Sequence, residues 1–225
     1  MSYAAVVFAS VGAVADLEDL DRRAFNLAFH RADLDWVWEP SRYKRLQTLE
    51  DDAARIAAYA VDAGDSVDVA ALWQTKRDIA RDLLRSAKVA PKTGVLDLLD
   101  AAKSRNVPVA LCARRSASEV YAVMDAMAPT LSPREFSWIG DSDMVKRERS
   151  LADVFDLALC SMQVQPDRIL AVVDTPYAAR AASAVGVPSV VLTGGMGAGW
   201  HLPAGTRVAP EAGAALMQKE PVAAE

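Results

Sequence analysis

Apolar positions follow two rhythms along the chain. Residues 4–8, 107–112, 136–139, 169–173 and 189–192 form short apolar runs, several of them β-branched. Such runs are the mark of strands buried on both faces. Between the later runs, residues 93–104, 116–127, 151–163 and 176–185 carry apolar side chains at helical spacing, and Gly186 stops the last of them. Strands alternating with helices predict an α/β fold with a parallel sheet covered on both faces.

Residues 16–87 break this alternation. Leu17, Leu20, Ala24, Leu27 and Ala28 recur at helical spacing, predicting an amphipathic helix over 18–32. Helical patterning continues over 41–49, 51–63 and 69–87, and no strand pattern interrupts it. The block reads as an inserted helical domain in a Rossmann-like core made of 1–15 and 88–215, with a polar tail over 216–225 that is expected to fray.

Composition narrows the function classes. The 225 residues are 52% hydrophobic and 24% charged, with net charge −5, enough apolar material for a large core. A mildly acidic chain without a basic stripe argues against nucleic acid as a partner. Cys112 and Cys160 are too few for a disulfide framework, and His30 and His201 stand in no Cys/His cluster. His30 reads as a helix residue and His201 as a loop residue. The N-terminus shows no secretory pattern and no run of 18 apolar residues occurs, so the expectation is a cytoplasmic protein without a membrane partner.

Ligands of parallel sheets bind at the carboxyl ends of the strands. The loops beginning at Ala9, Ala113, Gly140 and Asp174 therefore carry any chemistry. The segment Asp16-Leu17-Glu18-Asp19-Leu20-Asp21-Arg22-Arg23-Ala24-Phe25-Asn26, continued by Leu34-Asp35-Trp36-Val37-Trp38, resembles the opening of sugar phosphatases of the CbbY, phosphoglycolate phosphatase and β-phosphoglucomutase type in the haloacid dehalogenase superfamily. The resemblance runs from about Tyr3 to about Leu192 and implies a Rossmann-like core with an inserted helical cap over 16–87.

The resemblance also implies four chemical loops, and each departs from the pattern. The family's aspartate nucleophile and its acid/base aspartate fall on Ala9 and Val11, which read as the end of a buried strand. Gly12, also at its family position, fits a turn passing close to the strand ends. The family's phosphate-binding Thr or Ser falls on Ala113, followed by Arg114, Arg115 and Ser116. The two arginines make either a solvated basic turn or an anion site, with Ser116 a candidate N-cap. The family lysine falls on Arg149, with Lys146 nearby, and a charged loop is the other reading. The family's acidic pair for Mg²⁺ is reduced to Asp174, which alone predicts weak or no metal binding and reads equally as a helix N-cap before Pro176.

In the cap, the resemblance leaves Glu18 and Arg23 as candidates to meet a ligand, whereas Asp51 and Asp52 would repel a phosphate. These substitutions together predict a catalytically inactive homologue with a binding, regulatory or scaffolding role, linked by the resemblance to sugar-phosphate metabolism or carbon fixation. No cofactor is expected, although active relatives use Mg²⁺. The partner is either another protein or a phosphorylated small molecule held by Glu18, Arg23, Arg114, Arg115, Lys146 and Arg149. Trp200, after a Gly-rich stretch, either anchors such a partner or packs on its own core. The alternative function is a working hydrolase with rearranged residues, in which Ser10, Asp16 or Asp174 reaches phosphorus. Strand alternation turns Ser10 away from the cleft.

Overall fold

The computed structural model describes residues 3–145, 150–192 and 200–209. Six strands form one parallel sheet: β1 (Ala5–Phe8), β2 (Val109–Cys112), β3 (Trp138–Gly140), β4 (Ile169–Val173), β5 (Ser189–Leu192) and β6 (Arg207–Ala209), in the order β3-β2-β1-β4-β5-β6. The chain starts at the centre of the sheet and builds outward in both directions. The loop after β1 is therefore flanked by the loops after β2 and β4. This topology brings the sequence-distant strand ends together.

Alternation along the strands divides the core. Val6, Phe8, Leu111, Leu170 and Val172 face one side, under α1 (Val11–Val14), α6 (Val95–Ser104) and α7 (Ala117–Met127). Ala5, Val7, Ala110, Cys112, Ala171 and Val173 face the other, under α8 (Leu151–Met162) and α9 (Pro176–Ala184). All residues of β1 and β4 are fully buried, which explains their unbroken apolar sequence. Trp200 packs against the second of these clusters.

The helical block comprises α2 (Glu18–Arg31), α3 (Pro40–Leu46), α4 (Asp52–Ala63) and α5 (Val69–Ser86). It has its own core, in which Phe25, Phe29, Trp36, Trp38 and Tyr43 meet as tilted and edge-on aromatic pairs. Local sequence sets its helix ends. Asp51 and Asp68 cap α4 and α5 through their side chains, and Gly64 ends α4 in the left-handed region at φ 74°.

Three local readings need correction. Val11 does not extend β1: after Ala9 the chain turns at Ser10 into the short helix α1. Asp174 is not the N-cap of α9, because the Thr175 hydroxyl accepts from Ala178 N instead. A sixth strand, Arg207–Ala209, lies at the sheet edge, where no apolar run predicted one. Lys146, Arg149, the Gly-rich stretch before Trp200 and the tail over 216–225 lie outside the described residues.

Candidate functional site

A cleft of about 440 Å³ lies between the carboxyl ends of the strands and the helical cap. The core contributes the loop after β1 (Ala9 to Gly12), the loop after β2 (Ala113 to Ser116), Ser142 beyond β3, and Asp174 and Thr175 after β4. The cap contributes Leu17, Glu18 and Asp21 from the start of α2, Tyr43 from α3, Glu50 to Asp52 and Arg55 at α4, and Trp73, Lys76 and Arg77 from α5.

Ala9 is fully buried at the end of β1, and its N–H donates to the Val172 carbonyl at 2.9 Å. Its methyl offers no heteroatom to the cleft. Ser10 follows in extended geometry (φ −167°, ψ 160°) as the N-cap of α1. Its Oγ accepts from Ala13 N at 2.9 Å and donates to Asp174 Oδ1 at 2.7 Å. The strand-alternation expectation for Ser10 is thus overturned: the chain leaves the strand at Ala9, and the N-cap turn carries the hydroxyl to the carboxylate that lines the cleft. Gly12 allows this approach, since a Cβ there would lie 2.3 Å from Asp174 Oδ2.

The two arginines after β2 do not form a solvated basic turn. Arg114 donates to Asp51 Oδ2 at 2.6 Å and Glu50 Oε1 at 3.2 Å, with its guanidinium 5.4 Å from the centre of the Tyr177 ring. Arg115 donates to Asp21 Oδ2 at 3.0 Å. Glu119, in the first turn of α7, accepts from Arg77 Nε at 3.0 Å and from the N–H and hydroxyl of Ser116, the N-cap of that helix. One core segment, 114–119, therefore grips the cap at three points.

Behind these contacts sits a buried cation. Lys76, 1% exposed, donates to Asp21 Oδ1 and Asp52 Oδ2, both at 2.7 Å, and lies 4.7 Å from the centre of the Phe25 ring. Arg55 donates to the other oxygen of Asp52 at 2.7 Å. Burial pushes the Asp21 and Asp52 carboxyls up, but Lys76, together with Arg115 and Arg55, outweighs it and holds both below the ordinary carboxylate range. Glu119 is also held below its ordinary value: burial raises it, and the hydrogen bonds from Arg77 and Ser116 reverse the sign. The adjacent Asp51 and Asp52 are thus neutralised by cations rather than left facing a ligand.

Glu18 lines the cleft, with Lys44 3.7 Å away. Arg23 does not reach it: the side chain is exposed on the outer face of α2, opposite the buried positions Ala24, Phe25 and Ala28. The sequence reading missed Lys76, Tyr43 and Trp73. Lys76 had a signal, for it occupies the apolar stripe Leu72-Lys76-Ile79-Ala80 of α5. A lysine at such a position needs a buried partner.

Among the described residues the strand-end donors are too few to hold a hard divalent cation. Among the described residues Asp174 is the one carboxylate that the loops at the strand ends contribute to the cleft lining, one of its oxygens is taken by Ser10, and Ala9 and Val11 add no side-chain oxygen. Among the described residues no group of three or more His, Cys, Asp or Glu side chains is arranged to hold a metal.

Protein CbbY from Cereibacter sphaeroides is 30% identical over 193 residues, covering 84% of both chains. The chain belongs to the CbbY family of haloacid dehalogenase-like hydrolases. Phosphoglycolate phosphatase from Rhodospirillum rubrum is 30% identical over 147 residues, covering 64% of this chain and 59% of that protein. Among solved structures, a point mutant of CbbY from Rhodobacter sphaeroides in complex with xylulose-(1,5)bisphosphate superposes with a TM-score of 0.76 at 26% identity, covering 95% of this chain and 99% of that one. The same protein in complex with phosphate superposes with a TM-score of 0.75 at 26% identity, covering 96% and 100%. No protein-family model matches the chain. The six-stranded parallel sheet with the α2–α5 helical block is the core-plus-cap fold of these CbbY relatives. No described helix is long and apolar enough to cross a membrane.

Proposed function

We propose that this CbbY relative binds a small ligand in its cleft without hydrolysing phosphate esters, and that its role is regulatory or scaffolding. One observation carries the proposal: the residue at the end of β1 is a fully buried alanine. Acyl-phosphate chemistry needs a carboxylate at that strand end, and transfer to or from it needs a second group to move a proton on the leaving oxygen. The position two residues on is Val11, 3% exposed and packed into the sheet core. With no fitting donor set for Mg²⁺, no cofactor is assigned to the cleft. Ligand binding to the relatives in complex with xylulose-(1,5)bisphosphate and phosphate makes binding the function most readily retained when chemistry is lost.

A second reading has one observation in its favour. The Ser10 hydroxyl lines the cleft and donates to Asp174, the geometry of a nucleophile beside a base. Its oxygen also accepts from Ala13 N, so the hydroxyl is occupied as a helix cap. A carboxylate is also a weak base for a serine hydroxyl, and neither described histidine lies in the cleft.

The test is phosphate release from a panel of sugar phosphates with and without Mg²⁺, run beside Ser10→Ala and Asp174→Asn. The proposal expects no turnover above that of the two variants, and no mass increase from a covalent phosphate on the intact chain. Turnover abolished by Ser10→Ala, with a phosphorylated Ser10 peptide, establishes the second reading instead.

A further inference from the structure

We propose that the cleft takes an uncharged, hydroxyl-rich ligand, a free sugar or polyol, in preference to a phosphorylated one, with the Tyr43 hydroxyl as a direct contact. This rests on the binding, non-hydrolysing reading above and names the ligand class.

Charge bookkeeping along the wall is the first support. Among the described residues, seven carboxylates and six cations line the cleft. Five of the cations (Arg55, Lys76, Arg77, Arg114 and Arg115) are already in ion pairs of 3.2 Å or less with carboxylates of the same wall. Among the described residues a phosphate dianion entering this cleft meets a wall with no surplus of positive charge, where Lys92 is the one lining cation outside these pairs, and to reach either guanidinium after β2 it must displace a carboxylate. A neutral hydroxyl has no such requirement. Paired carboxylates keep lone pairs and paired guanidiniums keep N–H groups, and both are suited to sugar hydroxyls.

Tyr43 is the second and independent support. The residue is 3% exposed and lines the cleft, yet its hydroxyl makes no hydrogen bond to any described residue. Burial, with the Asp21 carboxylate nearby, pushes the phenol well above its ordinary range, so it stays a neutral donor and acceptor. A hydroxyl that opens on the cleft from an otherwise buried side chain, with no protein partner, is free to meet a ligand or water there. Trp73 and Tyr177 add aromatic surface to the same wall, suited to the apolar face of a sugar ring.

The experiment is titration calorimetry on the full chain with D-xylulose, xylitol, xylulose-(1,5)bisphosphate and inorganic phosphate, at low ionic strength with and without Mg²⁺. The proposal expects a free sugar or polyol to bind at least tenfold more tightly than the phosphorylated probes, and Tyr43→Phe to weaken it by about tenfold, the loss of one hydrogen bond. The paired variant Glu50→Gln/Asp51→Asn keeps a competent cap at residue 51 but frees Arg114, and is expected to gain affinity for inorganic phosphate. Tighter binding of the bisphosphate to the natural chain, no binding of any neutral probe, or indifference to Tyr43→Phe overturns the proposal. Failure of the paired variant to gain phosphate affinity overturns its charge argument. Phosphate released from the bisphosphate during titration overturns the non-hydrolytic reading instead, and is scored separately by colorimetry.

Discussion

Lys76→Met removes the one buried lysine among the described residues while keeping most of its volume and its packing on Phe25. Two carboxylates, Asp21 and Asp52, then lose a partner that sits 2.7 Å from each. Breaking one partner out of a buried charge cluster costs about 3–5 kcal/mol. Asp21 keeps Arg115 at 3.0 Å and Asp52 keeps Arg55 at 2.7 Å, so the lower end, about 3 kcal/mol, is expected. For a chain of this size that corresponds to a fall in Tm of roughly 6–12 °C. The pH dependence identifies the cause. In the natural chain both carboxyls are held below the unfolded value of 3.8, so their stabilisation is fully present above that pH and is lost as pH falls through the lower folded values. In the variant the same carboxyls protonate more readily, so the difference between the two proteins is largest near neutrality and shrinks as pH falls toward the unfolded carboxylate range. Urea unfolding at a series of pH values from neutral to about 3 measures it. A difference below about 1 kcal/mol at neutral pH, or one that does not change with pH, would refute the electrostatic account and leave packing as the explanation.

Gly12→Ala places a methyl 2.3 Å from Asp174 Oδ2, and a loss of about 1–3 kcal/mol is expected in thermal or urea unfolding. Asp174→Ala in the same chain should restore most of it, and failure of that rescue would show that the contact is not the cause. Arg115→Ala should cost about 1.5–3 kcal/mol because it strips a charged hydrogen bond from the largely buried Asp21, whereas Arg114→Ala, whose partners are more exposed, should cost about 1 kcal/mol or less at moderate salt. A double-mutant cycle of Arg114→Ala with Asp51→Asn is expected to show a coupling that falls as salt rises. Ser10→Ala should lower stability by about 1–2 kcal/mol through loss of the α1 cap, measured by urea unfolding, and a neutral result would mean the cap contributes nothing.

The fold was legible where sequence and burial agree. Residues of β1, β2, β4 and β5 are buried throughout, so their apolar runs stand out, and the ends of β4 and β5 fall where the runs end. β6 was illegible because Arg207–Ala209 is a three-residue edge strand with an exposed valine and no apolar run to betray it. The turn at Ser10 was misread for a different reason. Val11-Gly12-Ala13-Val14 is as apolar as a strand, and only the N-cap preference of the preceding serine separates the two readings. The arginines after β2 were placed at the right loop, but their partners lie as far as 94 residues away, and no local pattern encodes that pairing.

The side chains at the strand ends and the ion pairs of the cleft are one physical arrangement. An anion site needs cations whose charge is not already spent. Here Arg114 and Arg115, at the strand end where the resemblance places phosphate contact, face carboxylates supplied by the cap itself. Those carboxylates are tethered competitors: their effective concentration at the guanidiniums is set by the fold, not by the surroundings, and for short connections lies in the millimolar range or above. A free phosphate ester at lower concentration loses that competition unless it gains further contacts, and the buried Ala9 and Val11 side chains have no polar atom to offer it. The same pairs tie segment 114–119 to α2, α4 and α5, so displacing them to admit an anion also loosens the cap. On the proposed reading, anion entry at Arg114 and Arg115 and cap release are coupled, and a ligand that leaves the ion pairs intact avoids both costs.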